Sequence, residues 1–275
     1  LKAFGFFIVG LTGAFLIWAT FDFPDWADPN APASLHVSPY YIEKALEETG
    51  TSNIVTAVLA DYRGYDTMFE TTVIFAAGLV CFLLLRRVFF QAANERLYRH
   101  LPTGITIRIK GEHPPLPQGE FEPIDLHWIP HDIIIRTVCR LLVPFVQLFA
   151  LYVIAHGHSS PGGGFQGGVI LGASFILLAM GFNLRALVKR IREKAQSVLS
   201  TSGVFIYAAT GWVCLLLGLS FLDYSALASL LGLDRIMSRS YGIFIVEVGV
   251  GIAVMGTMIW IYSNLSSMGN QDEGL

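Results

Sequence analysis

AHGHSSPGGGFQGGVILGASF, residues 155–175, joins two long apolar runs. The run before it, 133–155, carries charge only near its start, at Arg136 and Arg140; the run after it, 163–183, carries none. Pro161 and the three glycines behind it end a tight connection, so the two runs read as consecutive helices. A bilayer core of about 30 Å is crossed by about 20 mostly apolar helical residues. Six segments meet that length: 3–21, 66–88, 133–155, 163–183, 201–222 and 241–263. The expectation is an all-α integral membrane protein with six transmembrane helices. Lys2 precedes the first run, but no small-residue cleavage site closes it before Phe21, so it reads as a membrane helix rather than a signal peptide.

The composition agrees. Of 275 residues, 53% are hydrophobic and only 14% charged, and the mean hydropathy is +0.57, far from the roughly 25% charge of a soluble domain. A net charge of −3 leaves no basic field to hold nucleic acid. Cys81, Cys139 and Cys214 sit in apolar runs with no ligand-like spacing, which argues against a disulfide framework or a thiolate metal site.

Six spans put both termini on one side, and basic residues say which. Of the 18 Lys and Arg, only Lys44, Arg63, Arg235 and Arg239 fall on the face opposite the termini. The rest, Lys2 and the groups around Arg86, Arg108, Arg140 and Lys189 among them, share the terminal face, which is therefore expected to be cytoplasmic in a bacterial or archaeal inner membrane. The outer loop 22–65 is acidic and opens on Pro24, Pro29 and Pro32; Ser38, Pro39 and Gly50 predict a short surface helix between them. Prolines at 102, 114, 115, 117, 123 and 130 are too many for a packed core. The chain thus divides into a two-span segment over 1–100, a cytoplasmic Pro-rich linker over 101–132 and a four-span domain over 133–275.

An ionisable group in a membrane helix costs a few kcal/mol and tends to mark an ion route or a buried pair. Glu70 and Glu247 are the two carboxylates within apolar runs, both in the outer half. Asp61, Arg63 and Asp66 lead into the Glu70 run, and helical spacing puts Arg63, Asp66, Thr67 and Glu70 on or near one face. Asp66 suits a helix N-terminus equally well, and Arg63 is expected to pair with a neighbouring carboxylate. Gly164, Gly168 and Gly172, four apart, make a smooth ridge for close helix contact. His156 and His158 read as hydrogen-bonding or proton-mouth residues, because a shared metal needs further ligands that the sequence does not supply. Pro130 between His127 and His131 argues against a helical ligand pair. No metal and no cofactor is assigned. Pro144 predicts a kink in the third span, with Gln147 near the freed backbone.

The run IRTVCRLLVPFVQLFALYVIAHGHSSPGGGFQGGVILGASFILLAMGF, 135–182, closely resembles the B subunit of the Mrp-type multisubunit cation/proton antiporters, and the likeness continues through YGIFIVEVGVG to about 264. Ahead of it, NIVTAVLADYRGYDTMFETTVIFAAG, 53–78, resembles the C-terminal end of the large A subunit of those antiporters, or the equivalent small subunit of Mrp-related membrane-bound hydrogenases. The matching positions there are Asp61, Arg63, Gly64, Asp66, Thr67 and Glu70. The resemblance implies a non-catalytic membrane subunit beside large antiporter-like pump subunits, serving Na+ and H+ movement across the bilayer, with the Glu70 position in cation or proton passage. Two alternatives stand beside it: a membrane-arm subunit of a hydrogenase, formate- or CO-oxidising complex, or a purely structural subunit that braces neighbouring pump subunits through its glycine faces.

Overall fold

A computed structural model describes residues 2–89, 95–110, 119–123 and 133–267. Pro114, Pro115, Pro117, Pro130, His127 and His131 lie outside the described residues. The chain forms two compact units, 1–45 and 46–275. The first holds α1 (Lys2–Ala19) and most of the acidic stretch behind it, ending within α2 (Ser38–Thr49). That second helix is the short surface helix expected from Ser38 and Pro39; Gly50, at φ +66°, ends it.

The second unit continues with α3 (Ile54–Ala57), a wider π-type turn (Val58–Tyr62) and α4 (Gly64–Phe89). The later helices are α5 (Ile133–Ala155), α6 (Gly164–Phe182), α7 (Leu184–Arg190), α8 (Glu193–Leu216), α9 (Ala228–Leu231) and α10 (Arg235–Ser266). Among the described residues, six helices are long and apolar enough to cross a membrane, namely α1, α4, α5, α6, α8 and α10. Two differ from expectation in extent. The fifth begins at Glu193 and ends at Leu216 rather than spanning 201–222, because Gly218, at φ +91°, turns the chain. The sixth begins at Arg235, behind Asp234, and runs for 32 residues.

Between α4 and α5 the chain departs from an all-helical reading. Strands β1 (Glu95–His100), β2 (Thr106–Lys110) and β3 (Phe121–Pro123) form an antiparallel sheet in the order β2-β1-β3. Tyr98 pairs with Ile107 on one side and Pro123 on the other. The prolines that suggested a linker are compatible with it: Pro102 lies in the β1–β2 turn and Pro123 ends an edge strand, where no full ladder of N–H donors is needed. His100 closes the sheet's end by hydrogen-bonding Thr103 at 2.7 Å and packing, tilted, on the Phe121 ring.

The organising element is α10. Of its most apolar stretch 72% is buried, against 39% or less for the other four spans of this unit, and it packs on α4, α6 and α8. Small residues make this possible. A Cβ on Gly168 would stand 2.7 Å from Gly251 O, and one on Gly164 would overlap the backbone of Glu247. On another face Gly203 of α8 abuts Gly249 and Ala253, while Gly256 backs onto Leu199 and Ser200. Thr257 both hydrogen-bonds Ser200 and fills the space beside Gly78 of α4. The ridge of Gly164, Gly168 and Gly172 is therefore consumed inside the chain, against α10. In a lipid environment apolar area drives no association, so close dispersion contact between these backbones is what holds the bundle.

Gly168→Leu should therefore destroy the fold of this chain rather than merely detach a partner. Overpacking costs about 1–3 kcal/mol where side chains can yield, and here the obstructing atoms are backbone. The expected outcome is loss of the chain from the membrane fraction, measured by quantitative immunoblot; wild-type abundance with lost partners would contradict it.

Candidate functional site

Where α3 meets the α5–α6 connection, the helix ends are joined by a dense polar contact. Asn53 caps α3, its side-chain oxygen accepting from Val55 N, while its amide donates to Gly157 O and Ser160 O, both at 2.8 Å. Its own backbone N–H donates to His158 O at 2.9 Å. Thr56 adds a hydroxyl to Gly157 O at 2.9 Å and to Glu247 Oε1 at 3.3 Å. The start of the broken helix is thereby stapled to the α5–α6 connection. That connection descends to the level of Glu247, and only glycine fits it: at Gly163, φ +143°, a Cβ would lie 2.7 Å from Glu247 Oε1.

Glu247 is 7% exposed. Among the described residues its Oε2 has no hydrogen-bond donor, and the Nδ1 of His158 lies 3.9 Å away. His158 Nε2 is 2.8 Å from Ser240 O, an acceptor, so Nε2 carries a proton and Nδ1 is the ring nitrogen that faces the carboxylate. The other histidine of the pair goes elsewhere: His156 stacks on Tyr152 at 4.2 Å.

Glu70 sits on α4 and is exposed at the surface of this chain. A cavity of about 150 Å³ joins it to Glu247, lined also by Thr56, Thr67, Gln166 and Tyr207. Such a volume holds several waters, and its polar groups give them partners. Tyr207 donates to Gly64 O at 2.8 Å and Tyr224 to Ala60 O at 2.9 Å, holding the backbone on both sides of the break at Arg63. Burial pushes the Tyr224 phenol well above its usual value, so it keeps the proton that it donates.

The remaining charges are spent locally. Arg63 pairs with Asp66, as expected, and both are exposed; such a pair contributes little stability. Asp61, 9% exposed, is held by both arms of Arg239, at 2.7 and 2.9 Å. Burial raises the Asp61 carboxyl above its ordinary value against the opposing pull of Arg239. The Arg239 guanidinium also lies 5.8 Å from the Tyr62 ring centre, and Tyr62 hydrogen-bonds Glu48 at 2.6 Å. The structure thus brings Glu70, Glu247 and Gly164 together at the cavity, sets His158 beside Glu247 but outside the cavity lining, and separates Asp61, Arg63, Asp66 and His156 from it. Sequence reasoning set Thr67 beside Glu70 but missed Thr56, Gln166 and Tyr207 as cavity residues, and Arg239 as the partner of Asp61. Of those missed, Arg239 left a signal, as one of few cations expected, like Asp61, on the face opposite the termini.

Comparisons with known proteins fit this architecture. A domain related to the MnhB subunit of the Na+/H+ antiporter matches residues 134–260, and the MbhE family, the E subunit of MBH, matches residues 8–100. The chain belongs to the MnhB-related antiporter subunits, with an MbhE-like segment at its N-terminal side. A putative antiporter subunit mnhB2 of Staphylococcus aureus (strain Newman) is 30% identical over 137 residues, which cover 50% of this chain and 95% of that protein. A probable A/B subunit of a K(+)/H(+) antiporter from Rhizobium meliloti (strain 1021) is 28% identical over 226 residues, 82% of this chain; the chain spans 22% of that relative's length. Among solved structures, a chain of the membrane-bound sulfane sulfur reductase, an archaeal respiratory membrane complex, matches with a TM-score of 0.61 and 25% identity, over 96% of this chain and 97% of that one. A chain of the Mrp complex from Dietzia sp. DQ12-45-1b matches with a TM-score of 0.57 and 24% identity, over 99% of this chain and 26% of that one. The protein is a multi-pass membrane subunit of an Mrp-type antiporter or a related respiratory membrane complex.

Arg239→Gln should destabilise the chain, since removing one partner of a buried ion pair typically costs about 3–5 kcal/mol, and somewhat less here because the arginine side chain is 23% exposed. Adding Asp61→Asn should recover most of the loss. Thermal unfolding of the purified complex measures both; equal destabilisation by the double variant would mean the pair is not the cause.

Proposed function

We propose that this chain is an accessory, non-catalytic subunit of an Mrp-type cation/proton antiport module, with Na+ as the cation, and that it carries part of the ion route in the outer half of the membrane. The observation that carries this reading is the polar cavity shared by Glu70 and Glu247. Glu70 opens to the chain's surface, where a pump subunit would meet it, and Glu247 closes the inner end beside His158. A proton moving between His158 Nδ1 and Glu247, and waters in the cavity, would connect the outer connection to Glu70. Asp61 and Arg63, each engaged in an ion pair, hold the broken helix that presents Glu70, and Asp66 serves Arg63.

The distribution of Lys and Arg supports cytoplasmic termini, which puts this cavity toward the outside. The two-span and four-span division over 1–100 and 133–275 supports descent from two subunits now carried on one chain. Bracing of neighbours through the ridge of Gly164, Gly168 and Gly172 finds no support, because α10 occupies that ridge. A second reading keeps the same module but sets it in the membrane arm of a respiratory complex. The match that extends over 97% of the sulfane sulfur reductase chain favours it. Redox subunits co-purifying with the chain would decide for that setting.

Glu70→Gln and Glu247→Gln test the route. Each keeps shape and removes a charge, so the complex should assemble normally and lose most of its cation-dependent proton flux in inverted vesicles. Normal assembly with unchanged flux in both variants would remove the cavity from the ion route. For Glu247→Gln an added His158→Gln should cause no further loss, because both act in one exchange.

A further inference from the structure

A large groove of the bundle lies away from this cavity, at the other ends of α4 and α8. It has a volume of about 1040 Å³, the upper end of the range for small-molecule sites. At one end are Lys189, Arg192 and Lys194, all exposed, and no described carboxylate pairs with any of the three. Glu193 also lines this end, which stays net positive. At the other end are Phe82, Val198 and Trp260. The two ends differ in depth. Lys189 and Arg192 lie in the short link between the spans α6 and α8, and Lys194 at the very start of α8. Phe82 lies three residues inside the end of the α4 span at Leu85, about 4.5 Å at 1.5 Å per residue. Val198 lies five residues inside α8, about 7.5 Å by the same measure. Trp260, 3% exposed, packs on Phe82 with ring centres 5.1 Å apart and forms a rigid floor.

We infer that this groove binds an anionic phospholipid, its phosphate against Lys189, Arg192 and Lys194 and an acyl chain along Phe82, Val198 and Trp260. The charge is complementary, the change from polar to apolar follows the depth of one leaflet, and basic recesses between membrane helices favour acidic headgroups. A free phosphate accounts for the cations and leaves the apolar wall without purpose; a protein helix accounts for the wall and leaves three exposed cations at its edge. The bound lipid would tie the α6–α8 link to the end of α4.

The purified complex, incubated with diazirine-labelled dioleoyl phosphatidylglycerol or the matching phosphatidylcholine probe, tests the assignment by mapping cross-links. The glycerol lipid should label peptides containing Phe82 or Val198 several-fold more than the choline lipid does. Lys189→Gln/Arg192→Gln/Lys194→Gln should abolish that preference, and Val198→Trp should lower labelling with the charges intact. Excess inorganic phosphate should leave labelling unchanged. Equal labelling by both lipids, displacement by phosphate, or a cross-link from position 198 to another subunit in place of lipid would each overturn the proposal. The wild-type comparison decides even if the triple variant fails to assemble.

Discussion

Close approach of backbones to α10 is the constraint on which this bundle rests. Without a hydrophobic driving force between helices in lipid, stability comes from dispersion at short range and from the few hydrogen bonds that cross helix interfaces. Gly164 and Gly168 on α6, Gly203 on α8, Gly78 on α4 and the glycines of α10 itself permit that range. Three helices can then share one partner, and Ser200 with Thr257 adds a polar tie where α8 crosses it. Glu247 owes its position to the same packing, since Gly164 presses against its backbone and sets where its carboxylate stands.

The site is built by a second device, the stapling of two irregular segments. The break between α3 and α4 and the connection after α5 each free backbone groups that a membrane protein must satisfy internally. Asn53, Thr56, Tyr207 and Tyr224 satisfy them mutually, so the two irregular pieces support one another. The polar cavity is what remains between them. Glu70 and Glu247, far apart in the chain, meet across it because one helix breaks and one loop descends.

Much of this was legible in the residues. Six apolar runs appear as six long helices, Pro39 and Gly50 bound a short one, and Arg63 finds Asp66 as i, i+3 spacing suggests. The glycine spacing of α6 announced a close helix contact, though not with which helix. Less legible was the sheet of β1, β2 and β3, where prolines masked the alternating pattern of TIRIK that only pairing makes stable. The early start of α8 and α10 left no signal because their first turns are charged and low in hydropathy.

Local rules act over a few residues, so the sequence by itself determined the membrane setting, the number of spans, the family and the presence of two unusual carboxylates. It could not determine partners that depend on which helix faces which. Asp61 with Arg239, His158 with Glu247, and the cavity that joins Glu70 to Glu247 are contacts between residues distant in the chain. They exist because small residues let α4, α6 and α8 close on α10, and that closure is a property of the packed bundle alone.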